Sequence, residues 1–136
     1  MAITDEAAGQ HEFSSATSAL SFTPDSGTLT GDVFVVAVAN RANATITPPA
    51  GTADQAFANL GPLGSDRRVS VFSWVAPSDA PGPVSVPLSA STTGSVTWTR
   101  FRGASGWFDA DADNQAVGTS AVAPDLTVDE AGAFVL

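Results

Sequence analysis

Hydrophobic and polar positions alternate along much of the chain, with the two-residue period of β-strands. Over residues 84–90, Val, Val, Leu and Ala occupy every second position, and Ser, Pro and Ser lie between them. This pattern predicts a strand with one face in the core and the other in water. Because Pro87 has no N–H group to donate, we expect this strand at a sheet edge or beside a bulge.

A second pattern occupies residues 33–39, where the sequence VFVVAVA is apolar on both alternating faces. The run is too short for a membrane span, which needs about 20 apolar residues. Its β-branched and aromatic content, with Gly31-Asp32 before it and Asn40 after it, favours a strand over a buried helix. We therefore expect a strand at the centre of a sheet, buried on both faces.

Turn-forming residues separate several further segments rich in Val, Phe, Trp and Thr, and helical periodicity of useful length is missing. The predicted strands are 11–23 (one strand or two), 32–40, 44–48, 67–76, 82–90, 94–103, 120–128 and 132–136. This series predicts an all-β fold, a two-sheet antiparallel sandwich of the jelly-roll or immunoglobulin-like kind. Its core is expected to contain Phe34, Val36, Trp74, Trp98 and Phe101.

The length of 136 residues suits one domain. We interpret residues 1–10 as an N-terminal arm and residues 11–136 as the sandwich domain. The final segment GAFVL resembles the start of another buried strand. Either it closes the sandwich, or the chain is the first part of a longer polypeptide.

Charge and composition exclude several classes of function. The net charge is −9, with five arginines and no lysine, and phosphate backbones need a cationic surface. We therefore expect no nucleic-acid partner. The chain contains no cysteine, so it can form neither a disulfide nor a cysteine-based zinc site.

The residues that usually carry catalysis are scarce. His11 is the only histidine, and Cys, Lys and Tyr are missing from the whole sequence. No G-x-S-x-G motif supports a serine nucleophile. We therefore expect a protein that is not an enzyme. Arg100 and Arg102 alternate at a strand end, where guanidinium groups are expected to pair with carboxylates or backbone carbonyls.

One acidic segment, "DADADN" at residues 109–114, begins like a calcium-binding loop, with Asp109, Asp111 and Asp113 as the candidate ligands. Asn114 then stands where the loop needs glycine, and Ser120 where it needs a bidentate glutamate. A solvated acidic loop is the favoured interpretation, Ca²⁺ is the alternative, and no other cofactor is expected.

Two aromatic residues precede this acidic segment in the same predicted loop. Trp107 and Phe108 either contact a ligand such as a glycan or plug one end of the sandwich; we favour the plug.

Several stretches together resemble a β-sandwich module of minor tail and other virion proteins from phages that infect actinobacteria, also found in some bacterial surface proteins. The resemblance covers about residues 12–136. The matching positions are Gly31-Asp32, Thr47 to Gly51, Trp74 to Ala76, Phe101 to Gly103, Ala123 to Asp125 and Gly132 to Phe134. Phe101 stands where tyrosine is common, and the family's module usually continues beyond the last motif.

The resemblance implies a structural protein of a phage virion, most simply a module of a minor tail or tail-tip protein that packs against other subunits and contributes to host attachment. It implies self-association as a trimer or ring, other virion subunits as partners, and no membrane span. The alternatives are a carbohydrate-binding or adhesin module, which would contact a host-surface glycan, and a capsid decoration protein.

Overall fold

The computed structural model of the chain describes residues 3–50, 52, 58–60 and 68–104. These residues form one five-stranded antiparallel sheet with the order β1-β5-β2-β4-β3. The strands are β1 (Thr4–Phe22), β2 (Val33–Asn40), β3 (Ala58–Leu60), β4 (Arg68–Val75) and β5 (Val84–Arg102). The described ranges contain no helix, which confirms the all-β prediction; the division into two sheets stays a prediction.

The strands differ from the predicted ones in four places, one of which is β3, where no strand was predicted. Residues 4–10, interpreted as an N-terminal arm, belong to β1 and pair with β5. The predicted strands 82–90 and 94–103 are two halves of β5. Residues 44–48 contribute only an isolated bridge between Ile46 and Leu88. The predicted strands 120–128 and 132–136 lie outside the described residues.

The long strands β1 and β5 change register where their paired ends bend back over the sheet. We call these ends, residues 17–22 of β1 and 84–92 of β5, the folded-over half of the β1–β5 pair. The pairing shifts between Phe13 and Thr17 and again between Thr17 and Ala19. Gly94 lies opposite Phe13 and also pairs with Asn40, and a Cβ at Gly94 would collide with the Ala39 carbonyl oxygen. A residue without a side chain therefore lets three strands approach closely at this point.

Pro87 pairs with Ala19, directly beside the second register shift, so its predicted place at an irregularity of the sheet is confirmed. Its carbonyl oxygen accepts a hydrogen bond from Thr47 N–H at 2.8 Å. Ser89 N–H donates to the Thr45 carbonyl at 2.9 Å. The segment around Ile46 thus lies along the folded-over half of β5.

The hydrophobic core lies between the folded-over half of the β1–β5 pair and the rest of the sheet. The Phe22 ring, from the end of β1, lies 6.0 Å from the Phe34 ring and 5.6 Å from the Trp74 ring. Phe34 also lies 5.3 Å from Trp98. The buried core cluster comprises Leu20, Phe22, Phe34, Val36, Val38, Phe72, Trp74, Ala76, Val86, Val96 and Trp98.

The two faces of β2 are buried to different extents. Phe34, Val36 and Val38 are completely buried in the core, whereas Val35 and Ala37 on the opposite face are partly exposed. The sequence predicted complete burial of both faces, and the structure shows it for one. We call the opposite side, which carries Val35, Ala37 and their neighbours on β4, the outer face.

Candidate functional site

Four charged residues form a compact cluster at one end of the sheet, where β5 ends and β2 begins. We call Asp25, Asp32, Arg100 and Arg102 the arginine–aspartate cluster. Arg100 is only 4% exposed and Asp32 only 2%. Arg100 Nη1 donates to Asp32 Oδ2 at 2.6 Å, and its Nε and Nη2 donate to the two oxygens of Asp25 at 2.9 and 3.0 Å.

Arg102 approaches Asp32 from the same strand, two residues farther along. Its Nε and Nη2 donate to Asp32 Oδ1 and Oδ2 at 2.9 and 2.8 Å, a bidentate geometry that is stronger and more directional than a single contact. Nη1 reaches Glu6 Oε2 at 3.4 Å. These contacts confirm the prediction that both arginines pair with carboxylates or carbonyls.

The cluster holds Asp32 in its ionised form. Hydrogen bonds from Arg102, and in addition from Leu29 N–H and Arg100, lower the pKa of Asp32 well below its usual range, although burial opposes the shift. The Leu29 N–H lies 2.9 Å from Asp32 Oδ2. Asp32 is therefore ionised at neutral pH and has no proton to donate there.

The cluster anchors the connection between β1 and β2. Both arginines donate to the Gly27 carbonyl, at 2.9 and 3.0 Å. Asp25 accepts a hydrogen bond from Gly27 N–H at 2.9 Å. Gly31 has a φ of +87°, which favours glycine, and it donates to the Ala76 carbonyl at 2.9 Å. Hydrogen bonds from the two guanidinium groups thus fix the backbone of this loop.

A second loop is tied to the same connection. Asp79, which follows β4, accepts hydrogen bonds from Thr30 N–H at 2.7 Å and from the Thr30 hydroxyl at 2.8 Å. These bonds lower the pKa of the exposed Asp79 carboxyl. Among the described residues, every buried side-chain nitrogen or oxygen has a hydrogen-bond partner. The polar groups at this end of the sheet are therefore used to hold loops together.

The opposite end of the sheet carries an open cleft with a volume of about 670 Å³. Arg41, just after β2, and Arg68, at the start of β4, line it together with residues of β1 and β5. Glu12 is the acidic residue among the described lining side chains. Polar side chains contributed by the strands are Gln10, Ser14, Thr93, Ser95 and Thr97. We call this feature the arginine cleft.

The arginine cleft has a fixed backbone frame. Arg41 N–H donates to the Thr93 carbonyl and to the Thr92 hydroxyl, both at 3.2 Å. The buried Asn40 amide closes the turn after β2, donating to the Ala44 carbonyl at 2.8 Å and accepting from Ala44 N–H at 2.9 Å. Asn43 Oδ1 accepts from Arg68 Nε at 2.9 Å, which orients that guanidinium group.

The candidate residues from the sequence fall into two groups. Phe34, Val36, Trp74, Trp98 and Phe101 are all buried, between 0% and 9% exposed. Trp74 also donates from Nε1 to the Ala50 carbonyl at 3.1 Å, so its indole serves the fold. The second group lies outside the described residues and comprises Trp107, Phe108, Asp109, Asp111 and Asp113. Within the described ranges, no group of acidic or histidine side chains could hold a metal ion.

Sequence reasoning found the pairing tendency of Arg100 and Arg102 but missed their partners. The aspartates that they bind are 68 to 75 positions away along the chain. The available signal was the spacing of Arg100 and Arg102, which places both on one face of a strand. Nothing local to Arg41 and Arg68 indicated that they line one cleft.

Comparison of the chain with protein-family models, characterised proteins and solved structures returns no match. Among the described residues there is also no helix that is both long and apolar enough to cross a membrane.

Proposed function

We propose that the chain is a non-enzymatic structural module of a bacteriophage virion, located in the tail or tail tip, where it packs against neighbouring subunits. The proposal extends the sequence resemblance. Two of the motifs that carry this resemblance, Gly31-Asp32 and Phe101 to Gly103, come together in the fold through the ion pair between Asp32 and Arg102. That contact is the observation on which the proposal rests.

The contact gives these motif residues an architectural role. The hydrogen-bonding groups of Asp32 and Arg102 are occupied by each other and by the loop that they anchor. A carboxylate that transfers protons as a general acid or base works best with a pKa near the working pH, and the pKa of Asp32 is shifted in the opposite direction. The cluster therefore supports a scaffold role over a reaction centre.

The outer face supplies a surface for packing against another subunit. Val35 and Ala37 of β2 and Val71 and Val75 of β4 lie on it, and each is partly exposed. Apolar side chains on the side of a sheet opposite the core are typical of a surface that another layer covers. In the proposed assembly, this layer is the second sheet of a sandwich or an adjacent subunit of a trimer or ring.

The decisive experiment is peptide mass spectrometry of purified virions from the source. Cleavage after arginine yields the peptides 42–67 and 69–100, which are long enough to identify the chain. The proposal expects both peptides in a fixed ratio to the major tail subunits across gradient fractions. Their absence from particles, with recovery from host cells or medium, would overturn it.

A second measurement tests the packing surface itself. Val71→Asp places a charge on the outer face, while Ser85→Asp places the same charge at an exposed position of β5. Sedimentation velocity should show self-association of the unmodified chain that Val71→Asp abolishes and Ser85→Asp retains. Equal behaviour of the two variants would contradict a role for the outer face in assembly.

A further inference from the structure

The first half of β1 forms an exposed edge of the sheet. β1 is the outermost strand in the order β1-β5-β2-β4-β3, and among the described residues no strand pairs with its second edge. Residues 7–13 pair with β5 without a register shift, so this edge is regular over that stretch. An unpaired edge presents a row of N–H and C=O groups on which another strand can form. We call this feature the free edge of β1.

A hydrogen bond at the end of β2 shows which backbone groups of β1 point to the free edge. Arg41 N–H donates to the Thr93 carbonyl, so the odd-numbered residues of β5 bond to β2. Alternate residues of a strand direct their backbone groups to opposite neighbours, and the even-numbered residues 94–100 therefore bond to β1. Their partners on β1 are Phe13, His11, Gly9 and Ala7. The backbone groups on the free edge then belong to Ala8, Gln10 and Glu12.

The free edge is exposed and locally acidic. The three residues that carry its backbone groups are all exposed. Asp5 and Glu12 form no ion pair with any described residue, while Glu6 already contacts Arg102. The arginines of the arginine cleft lie at the ends of β2 and β4, two and three strands away. Since neighbouring strands are about 4.8 Å apart, these cations are about 10 Å or more from the edge.

The two faces of β1 ask for different side chains on an added strand. Glu12 lies on one face, where it favours a cation on the neighbouring strand. His11 and Phe13 lie on the other face, with ring centroids 4.3 Å apart. Aromatic and β-branched side chains pair well across strands with such rings. Because side chains alternate between faces, one extended segment can satisfy both requirements.

We propose that the free edge of β1 binds an extended segment of another protein, which adds a strand to the sheet and carries Lys or Arg at alternate positions. Main-chain hydrogen bonds supply the affinity in this mode of binding, and alternate side chains supply the specificity. The added strand lies in the plane of the sheet, so the site does not require the outer face to be open. A second copy is disfavoured, because two β1 strands would bring like charges together. This inference is independent of the proposed location in a virion.

The test uses the full chain and the synthetic peptide acetyl-KVKVTVK-amide, with hydrogen exchange of backbone amides followed by NMR. In the free chain, the Gly9 and His11 amides should exchange slowly, and the Gln10 and Glu12 amides quickly. The peptide should shift the Gln10 and Glu12 signals saturably and slow their exchange. The peptide acetyl-EVEVTVE-amide keeps the apolar residues but reverses the charge, and it should do neither. Equal responses to the two peptides would overturn the proposal.

Variants separate pairing at the edge from a general charge effect. Gln10→Pro removes an N–H from the free edge but none from the β1–β5 ladder, and it should weaken binding about tenfold. Gln10→Ala, which keeps the N–H, should leave the affinity unchanged. Glu12→Gln should weaken binding about threefold through loss of an exposed ion pair. Ser78→Arg changes the net charge equally at an exposed position beyond β4 and should have no effect.

Three outcomes would contradict the proposal. Binding of neither peptide would mean that the carboxylates only protect the edge from pairing. Equal weakening by Gln10→Pro and Gln10→Ala would show that the backbone edge is not used, and equal weakening by Ser78→Arg and Glu12→Gln would show that net charge alone is responsible. Retained dispersion in the spectrum of free Gln10→Pro verifies its fold, and Ala8→Pro replaces it if that dispersion is lost.

Discussion

Asp32 and Arg102 form a bidentate ion pair that joins the start of β2 to the end of β5, with N–O distances of 2.8 and 2.9 Å. Asp32 also accepts a hydrogen bond from the buried Arg100 at 2.6 Å. One carboxylate therefore bridges two guanidinium groups at a site largely removed from water, and Asp25 supplies Arg100 with a second negative charge. Removing this carboxylate should be among the most harmful single changes in the described fold.

Asp32→Asn should lower the free energy of unfolding by about 3 kcal/mol, because Arg100 and Arg102 lose the charge of the buried carboxylate that they share and Arg100 keeps only Asp25. Glu6→Gln is the matched control, since Glu6 contacts Arg102 at 3.4 Å on the exposed side of the cluster. Its effect should stay below about 1 kcal/mol. Urea unfolding curves measure both; a loss for Glu6→Gln as large as that for Asp32→Asn would show that burial is not the source.

The stability of the protein should depend on pH through the same residue. The pKa of Asp32 is lowered in the folded state, so its stabilising effect is present above the ordinary carboxyl value and disappears on acidification. The stability difference between the unmodified chain and Asp32→Asn should be constant above about pH 5 and should shrink as the pH falls below about 4. Urea midpoints across this range measure the difference, and a gap that widens towards acid would have the wrong sign.

Gly9→Ala should destabilise the protein by about 1–3 kcal/mol through steric overlap. Gly9 pairs with Trp98, and a Cβ at this position would lie 2.6 Å from Cζ2 of the indole ring. Gly82→Ala is the control, because a Cβ there meets nothing within 4 Å. Thermal unfolding should show a lowered Tm for Gly9→Ala and an unchanged or slightly raised Tm for Gly82→Ala. Equal Tm values for the two variants would mean that the indole does not cover Gly9.

Phe22→Ala should cost about 3–5 kcal/mol, because it removes a fully buried ring between the folded-over half of the β1–β5 pair and the rest of the sheet. Leu29 is 46% exposed, so Leu29→Ala should change stability by less than about 0.5 kcal/mol. Urea unfolding followed by tryptophan fluorescence reports on both. A small effect at Phe22 would contradict the packing of one half of the sheet onto the other.

The residue pattern by itself determined the all-β class and the positions of the strongest strands. Residues 32–40 and 67–76 were predicted within one residue of β2 and β4, because each combines β-branched and aromatic residues between polar turns. The irregularity at Pro87 was also predictable, since a residue without an N–H interrupts a ladder wherever it lies. These are local properties of the chain.

Only the tertiary structure decided which strands join, where the sheet turns over and which charges meet. The break predicted between the strands 82–90 and 94–103 lies inside β5, because pairing with β1 continues on both sides of it. Arg100 binds Asp32 across 68 positions, and Arg41 and Arg68 line one cleft only because β2 and β4 are neighbours. Such contacts depend on the register between distant segments, and that register is set by packing of the whole core.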